Sequence, residues 1–91
     1  MNEIKEKFLP IGTVCMLKDG THPVMIIGYL PIPNNSPNEK YDYTACLYPE
    51  GLLKTDQVAV FNHDQIVEVL NMGYESEKSK EFIEKLKGLI T

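Results

Sequence analysis

Apolar and polar positions alternate with a period of two over much of this chain and change to a helical spacing near its C-terminal end. Over Thr13–Lys18, Val14 and Met16 fall on one face and Cys15 and Leu17 on the other, which predicts a strand. Asp19-Gly20 then predicts a turn, because glycine accepts φ > 0. The return strand runs over Pro23–Leu30. Its Val24-Met25-Ile26-Ile27 run is apolar on both faces, so it is expected to be the most buried strand. Gly28 inside that run predicts a bulge or tight bend.

Residues 31–40 (PIPNNSPNEK) hold three of the six prolines and three asparagines, a composition that predicts a long loop. Loops of this length in small domains are often functional. A third strand follows over Tyr41–Tyr48, closed by Pro49-Glu50-Gly51, and a fourth over Gln57–Phe61. Asn62 and Gln65 stand at capping-box spacing. A fifth strand is expected at Ile66–Leu70, with continuation as helix through Val-Glu-Val-Leu as the alternative, ended by Asn71-Met72-Gly73. Ser76 or Ser79 is placed to start a helix running to about Leu89, with Phe82, Ile83, Leu86, Leu89 and Ile90 as its apolar stripe. Residues 2–9, with Ile4 and Phe8 four apart, are expected to form a short N-terminal helix ended by Pro10 and Gly12. The whole predicts a mainly β, α+β fold: a small SH3-like, partly open barrel or a strongly bent antiparallel sheet of about five strands, with terminal helices.

Ninety-one residues are read as one domain, with a β-rich core at 8–75 and the C-terminal helix at 76–90. Such a chain buries roughly 60–65% of its unfolded surface, enough for one modest core. The formal net charge of −4 lies wholly between residues 11 and 74, where seven carboxylates face only Lys18, Lys40 and Lys54. An acidic body without a basic stripe argues against nucleic acid and anionic membrane surfaces as partners. The chain has no arginine, so tight bidentate anion clamps are not expected either. No apolar run approaches a membrane span and the polar Met1–Lys7 stretch lacks a signal-peptide core, so a cytoplasmic protein with reduced cysteines is expected.

The candidate chemistry is thin. Cys15, His22, Cys46 and His63 are separated by 7, 24 and 17 positions, without the close pairs a zinc site needs, and no cofactor is expected. Both cysteines lie mid-strand, where packing explains them better than nucleophilic attack. His22 reads as a solvent-facing turn residue and His63-Asp64 as the turn after Asn62. Nothing in their spacing selects a pair among Asp42, Glu50, Asp56, Asp64 and Glu68. An enzyme or ligand-binding barrel would have to bring Asp42, His63 and Tyr48 together in one pocket.

The tyrosines are the best candidates for recognition. Tyr29, Tyr41, Tyr43 and Tyr48 flank the loop carrying Pro31 and Pro33, and aromatics beside prolines make grooves that grip extended peptides. The same residues also serve small β-cores as filling. Phe82, Leu86 and Ile90 would either cap the sheet or join a second copy as a homodimer.

Gly28-Tyr29-Leu30-Pro31, Tyr41-Asp42-Tyr43, Tyr48-Pro49-Glu50-Gly51, Phe61-Asn62-His63 with Ile66, and Gly73-Tyr74 together resemble a family of small domains of unknown function from Gram-positive bacteria, often encoded beside type VII secretion genes and LXG-type toxins. Ala45 stands where that pattern has glycine. The resemblance covers about residues 8–75 and carries no catalytic residues. It implies a non-enzymatic accessory or chaperone-like adaptor whose partner is another protein, a secreted toxin or a secretion component.

Overall fold

The computed structural model describes residues 7–32, 40–54 and 57–89. Five strands, β1 (Val14–Leu17), β2 (Val24–Tyr29), β3 (Tyr43–Leu47), β4 (Ala59–Phe61) and β5 (Ile66–Asn71), form one antiparallel sheet in the order β4-β3-β2-β1-β5. Helix α1 (Glu77–Leu89) follows. The sheet is open: β4 and β5 are its two edges. The expected antiparallel sheet of five strands and the C-terminal helix are therefore present. The expected N-terminal helix falls mostly on residues outside those described. At Phe8 the backbone is left-handed, with φ 63°, a conformation that does not propagate a right-handed helix.

The pairing between strands is not regular throughout. Ile26 faces Ala45, yet Gly28 faces Thr44 and Tyr29 faces Tyr43, so β2 carries one extra residue at Ile27/Gly28. That bulge decides which way Tyr29 points. In an unbroken register Gly28 would oppose Tyr43 and Tyr29 would turn to the far face; with the bulge, Tyr29 lies over the core beside Tyr43. β5 shifts twice against β1, between Val14/Cys15 and between Met16/Leu17, so that Ile66 and Val69 both reach the core while Val67 and Leu70 are exposed.

The core lies on one face of the sheet and comprises Cys15, Val24, Ile26, Tyr43, Ala45, Phe61 and Ile66, closed by Phe8 and Leu9 from the N-terminal segment and Leu86 from α1. Cys15 and Cys46 are both buried free thiols. Cys15 pairs with Val24 and Cys46 with Met25, in adjacent rows of the sheet, so their side chains point to opposite faces.

Two local devices fix the ends of the sheet. Ser76 N–H donates to Ser79 Oγ at 2.9 Å and Ser79 N–H to Ser76 Oγ at 3.0 Å, a reciprocal cap that starts α1. Before it, Gly73 lies against the Ile11–Thr13 turn. Its N–H donates to Thr13 Oγ1 at 3.0 Å, and a Cβ there would meet the Ile11 carbonyl oxygen at 2.2 Å. Only glycine allows the chain to leave β5 so close to that turn.

Candidate functional site

Tyr43 is the centre of the aromatic cluster. It is 0% exposed, and its ring packs against Phe8, Tyr29, Phe61 and His63 at centroid distances of 5.3–6.2 Å. Its hydroxyl oxygen accepts the Leu9 N–H at 3.0 Å and lies 2.7 Å from His63 Nδ1. Tyr29 Oη donates to the carbonyl of the same Leu9 at 2.5 Å. Two tyrosines on neighbouring strands thus hold both backbone polar groups of one residue. Burial pushes the Tyr43 phenol up to about 12, against the hydrogen bonds from the chain at residues 8 and 9, and also raises Tyr29.

Asp42 and His63 do come together. His63 N–H donates to Asp42 Oδ2 at 2.8 Å, Lys7 Nζ lies 3.3 Å from Asp42 Oδ1, and the Asp42 N–H donates to Asn62 Oδ1 at 3.1 Å. These residues and Asp64 line an open cleft of about 410 Å³ at the β3–β4 end nearest the N-terminal segment. The Asn62 N–H donates to Gln65 Oε1 at 2.8 Å, the side-chain half of the expected cap, which seats the single 3₁₀ turn His63–Gln65. The Asp42 carboxylate is spent on a backbone amide and a lysine. Tyr48, the third residue expected there, stands beyond the far end of β3, and Tyr43 to Leu47 alone spans about 13 Å of strand.

The other expected recognition residues are divided. Tyr43 offers no surface, and Tyr29 is half-buried under Phe82 with rings 6.2 Å apart. Tyr41 and Pro31 are half-buried, and Pro33 lies outside the described residues. Tyr48 is 45% exposed. In α1, Leu86 belongs to the core and is not available to a second copy, Phe82 is half-exposed beside Tyr29, and Ile90 lies outside the described residues. Within the amphipathic stripe of α1, Ile83 and Leu86 pack against the sheet, while Phe82 and Leu89 are exposed, Leu89 at 75%.

Other candidate groups serve structure. Burial raises the Cys15 thiol to about 11, far from a reactive thiolate. His22 Nε2 lies 3.0 Å from Glu50 Oε1, tying the β1–β2 turn to the β3–β4 turn and drawing the Glu50 carboxyl below its ordinary range. No group of three or more His, Cys, Asp or Glu is placed to hold a metal ion among the described residues. Nor is any described helix long and apolar enough to cross a membrane.

Around Tyr48, which the sequence does single out, lies an apolar surface that it does not. Leu47 and Tyr48 at the end of β3, then Leu52, Leu53 and Val58 in the connection to β4, are all substantially exposed, Leu53 at 74%. Leu47 and Gly51 form a bridge that folds this connection back on β3. Its signal was a Leu-Leu pair directly after a Pro-Glu-Gly turn, where a solvated loop has no need of apolar side chains.

Neither the curated proteins nor the solved structures contain a match to this chain. Residues 8–82, which span the Leu9 anchor, the whole sheet and the first half of α1, match the domain of unknown function DUF4176, and the chain belongs to that family.

Proposed function

We propose that this protein is a non-enzymatic interaction module that docks a protein partner through the apolar β3–β4 end of its sheet. The observation that supports this reading is the run of exposed side chains Leu47, Tyr48, Leu52 and Leu53 around one turn. Exposed apolar groups gathered on a small domain mark association surfaces, and a tyrosine among them supplies a rigid, amphipathic anchor. The groups with potential chemistry support it too. Cys15 is buried, Asp42 is bonded to His63 and Lys7, and Tyr43 is sealed inside the core.

The resemblance to domains encoded beside type VII secretion genes in Gram-positive bacteria supports a partner of that kind, a secreted toxin or a secretion component. An accessory or chaperone-like adaptor acting in the cytoplasm is the matching role. The bulged strands and the position of β1 between β2 and β5 support an SH3-like, partly open barrel as the architecture.

The test is co-purification with the products of neighbouring genes. A complex that survives Phe82→Ala and loses at least tenfold affinity on Tyr48→Ala or Leu53→Asp is expected. Equal affinity for all three variants contradicts the docking surface.

A second reading, a small-ligand site without Tyr48, draws on the convergence of Asp42 and His63 in the cleft with Lys7, Asn62 and Asp64. It predicts that a panel of small polar metabolites shifts the amide resonances of residues 62–64 selectively. A panel that moves none of them removes this reading.

A further inference from the structure

The two edges of the sheet differ in a way that bears on self-association. An edge strand presents unpaired backbone donors and acceptors, and proteins blunt such edges with bulges, lysines or prolines. β5 is blunted: its two register shifts put Val67 and Leu70 out of the regular ladder. β4 is short, at three residues, but carries no such irregularity: it pairs with β3 in an uninterrupted register, Tyr43 with Phe61, Thr44 with Val60 and Ala45 with Ala59. The segment Gln57-Val58-Ala59-Val60-Phe61 contains no charge, proline or glycine. No further strand pairs with β4 among the described residues.

We propose that β4 is a self-pairing edge, and that its occupant is β4 of a second copy of this chain, joined antiparallel about a two-fold axis through Ala59. Val58-Ala59-Val60 is its own complement in that register, with Gln57 opposite Phe61 at its ends. A two-fold axis perpendicular to the sheet keeps side chains on their own faces, so residues of like parity meet. Ala59 then faces Ala59, and Val58 faces Val60 twice, on the face turned away from the core. Pairs of β-branched residues directly opposite each other are favourable cross-strand neighbours. No carboxylate opposes its own copy, as Glu68 would on the axis of a β5–β5 pairing centred there. Val58 is 41% exposed and Val60 half-buried in the single chain, so both have surface left to lose. The contact extends two five-stranded sheets into one of ten strands. It adjoins the heterologous contact proposed around Tyr48 and shares Val58 with that apolar surface.

The experiment is size-exclusion chromatography with light scattering on the intact chain over a hundredfold concentration range, for the wild type, Val58→Lys and Phe82→Glu. The expected result is a dimer mass at high concentration that Val58→Lys abolishes and Phe82→Glu leaves, with unchanged circular dichroism and melting temperature for Val58→Lys. Slower hydrogen exchange at residues 57–61 should accompany dimer formation. A monomer at every concentration overturns the proposal. So does a dimer that survives Val58→Lys, or one that Phe82→Glu dissociates.

Discussion

Tyr43 on β3 holds Leu9 of the N-terminal segment by accepting its amide proton at 3.0 Å, across 34 positions of sequence and inside the core. This bond, with the Tyr29 bond to the Leu9 carbonyl, keeps Phe8 seated with its ring 1% exposed although its backbone is left-handed. A left-handed non-glycine residue costs on the order of 1–3 kcal/mol and persists only where its surroundings over-determine it. Tyr43→Phe keeps the ring and removes the acceptor, leaving the Leu9 N–H buried and unpaired. A loss of about 1–3 kcal/mol in urea unfolding is expected. An unchanged midpoint would mean that the N-terminal segment is held by ring packing alone.

Stability should fall in alkali, and the sign follows from burial. The fold raises the Tyr43 phenol from its ordinary 10.0 to about 12 and the Cys15 thiol from 9.0 to about 11. Both are neutral acids that bind their protons more tightly when folded. Their contribution is intact below pH 9 and is lost as pH rises from 9 through 11 for the thiol and from 10 through 12 for the phenol. A two-unit gap corresponds to about 3 kcal/mol per group at the end of its window. Urea midpoints at pH 8 and pH 11 measure this, and Cys15→Ala should flatten the early part of the decline. Equal midpoints at the two pH values would contradict the burial of both groups.

Gly73→Ala should be among the most disruptive single changes. The added methyl would overlap the Ile11 carbonyl, and relief requires the β5–α1 connection to move off Thr13. A destabilisation of about 2–4 kcal/mol is expected. Gly51→Ala would test the contrast, since a Cβ there meets nothing within 4 Å and only its φ of 76° opposes the change. A Gly73→Ala variant as stable as the wild type would contradict the close crossing.

Most of the fold was legible in the chain. The five strands and the helix appear where the period-two and helical patterns place them, and Gly28 marks the bulge because an interior strand glycine has no packing role of its own. What alternation could not reveal was parity. Ile66-Val67-Glu68-Val69 reads as an ordinary half-buried strand, but the register shift at Val67 sends both Ile66 and Val69 inward. The tyrosines were ambiguous for a related reason. Tyr43 and Tyr48 look alike in sequence, and their fates depend on whether a neighbouring segment covers them, which is a tertiary fact. Phe8 and Leu9 read as part of a short amphipathic helix because nothing local signals that two distant hydroxyls capture the Leu9 backbone. The apolar Leu52-Leu53 pair was visible but carried no period, so no element claimed it.

The central claim is that this domain works through an exposed apolar end whose tyrosine is separate from the tyrosine that holds the core. The most direct measurement is the calorimetric affinity of the purified protein for a co-purifying partner, made on Tyr48→Ala and Tyr43→Phe side by side with their urea midpoints. Tyr48→Ala is expected to lose at least tenfold in affinity with its midpoint unchanged, and Tyr43→Phe to lose stability while retaining affinity under folding conditions. The reverse pattern, with affinity intact in Tyr48→Ala and lost in a folded Tyr43→Phe, would contradict the account and move the working surface to the His63 cleft.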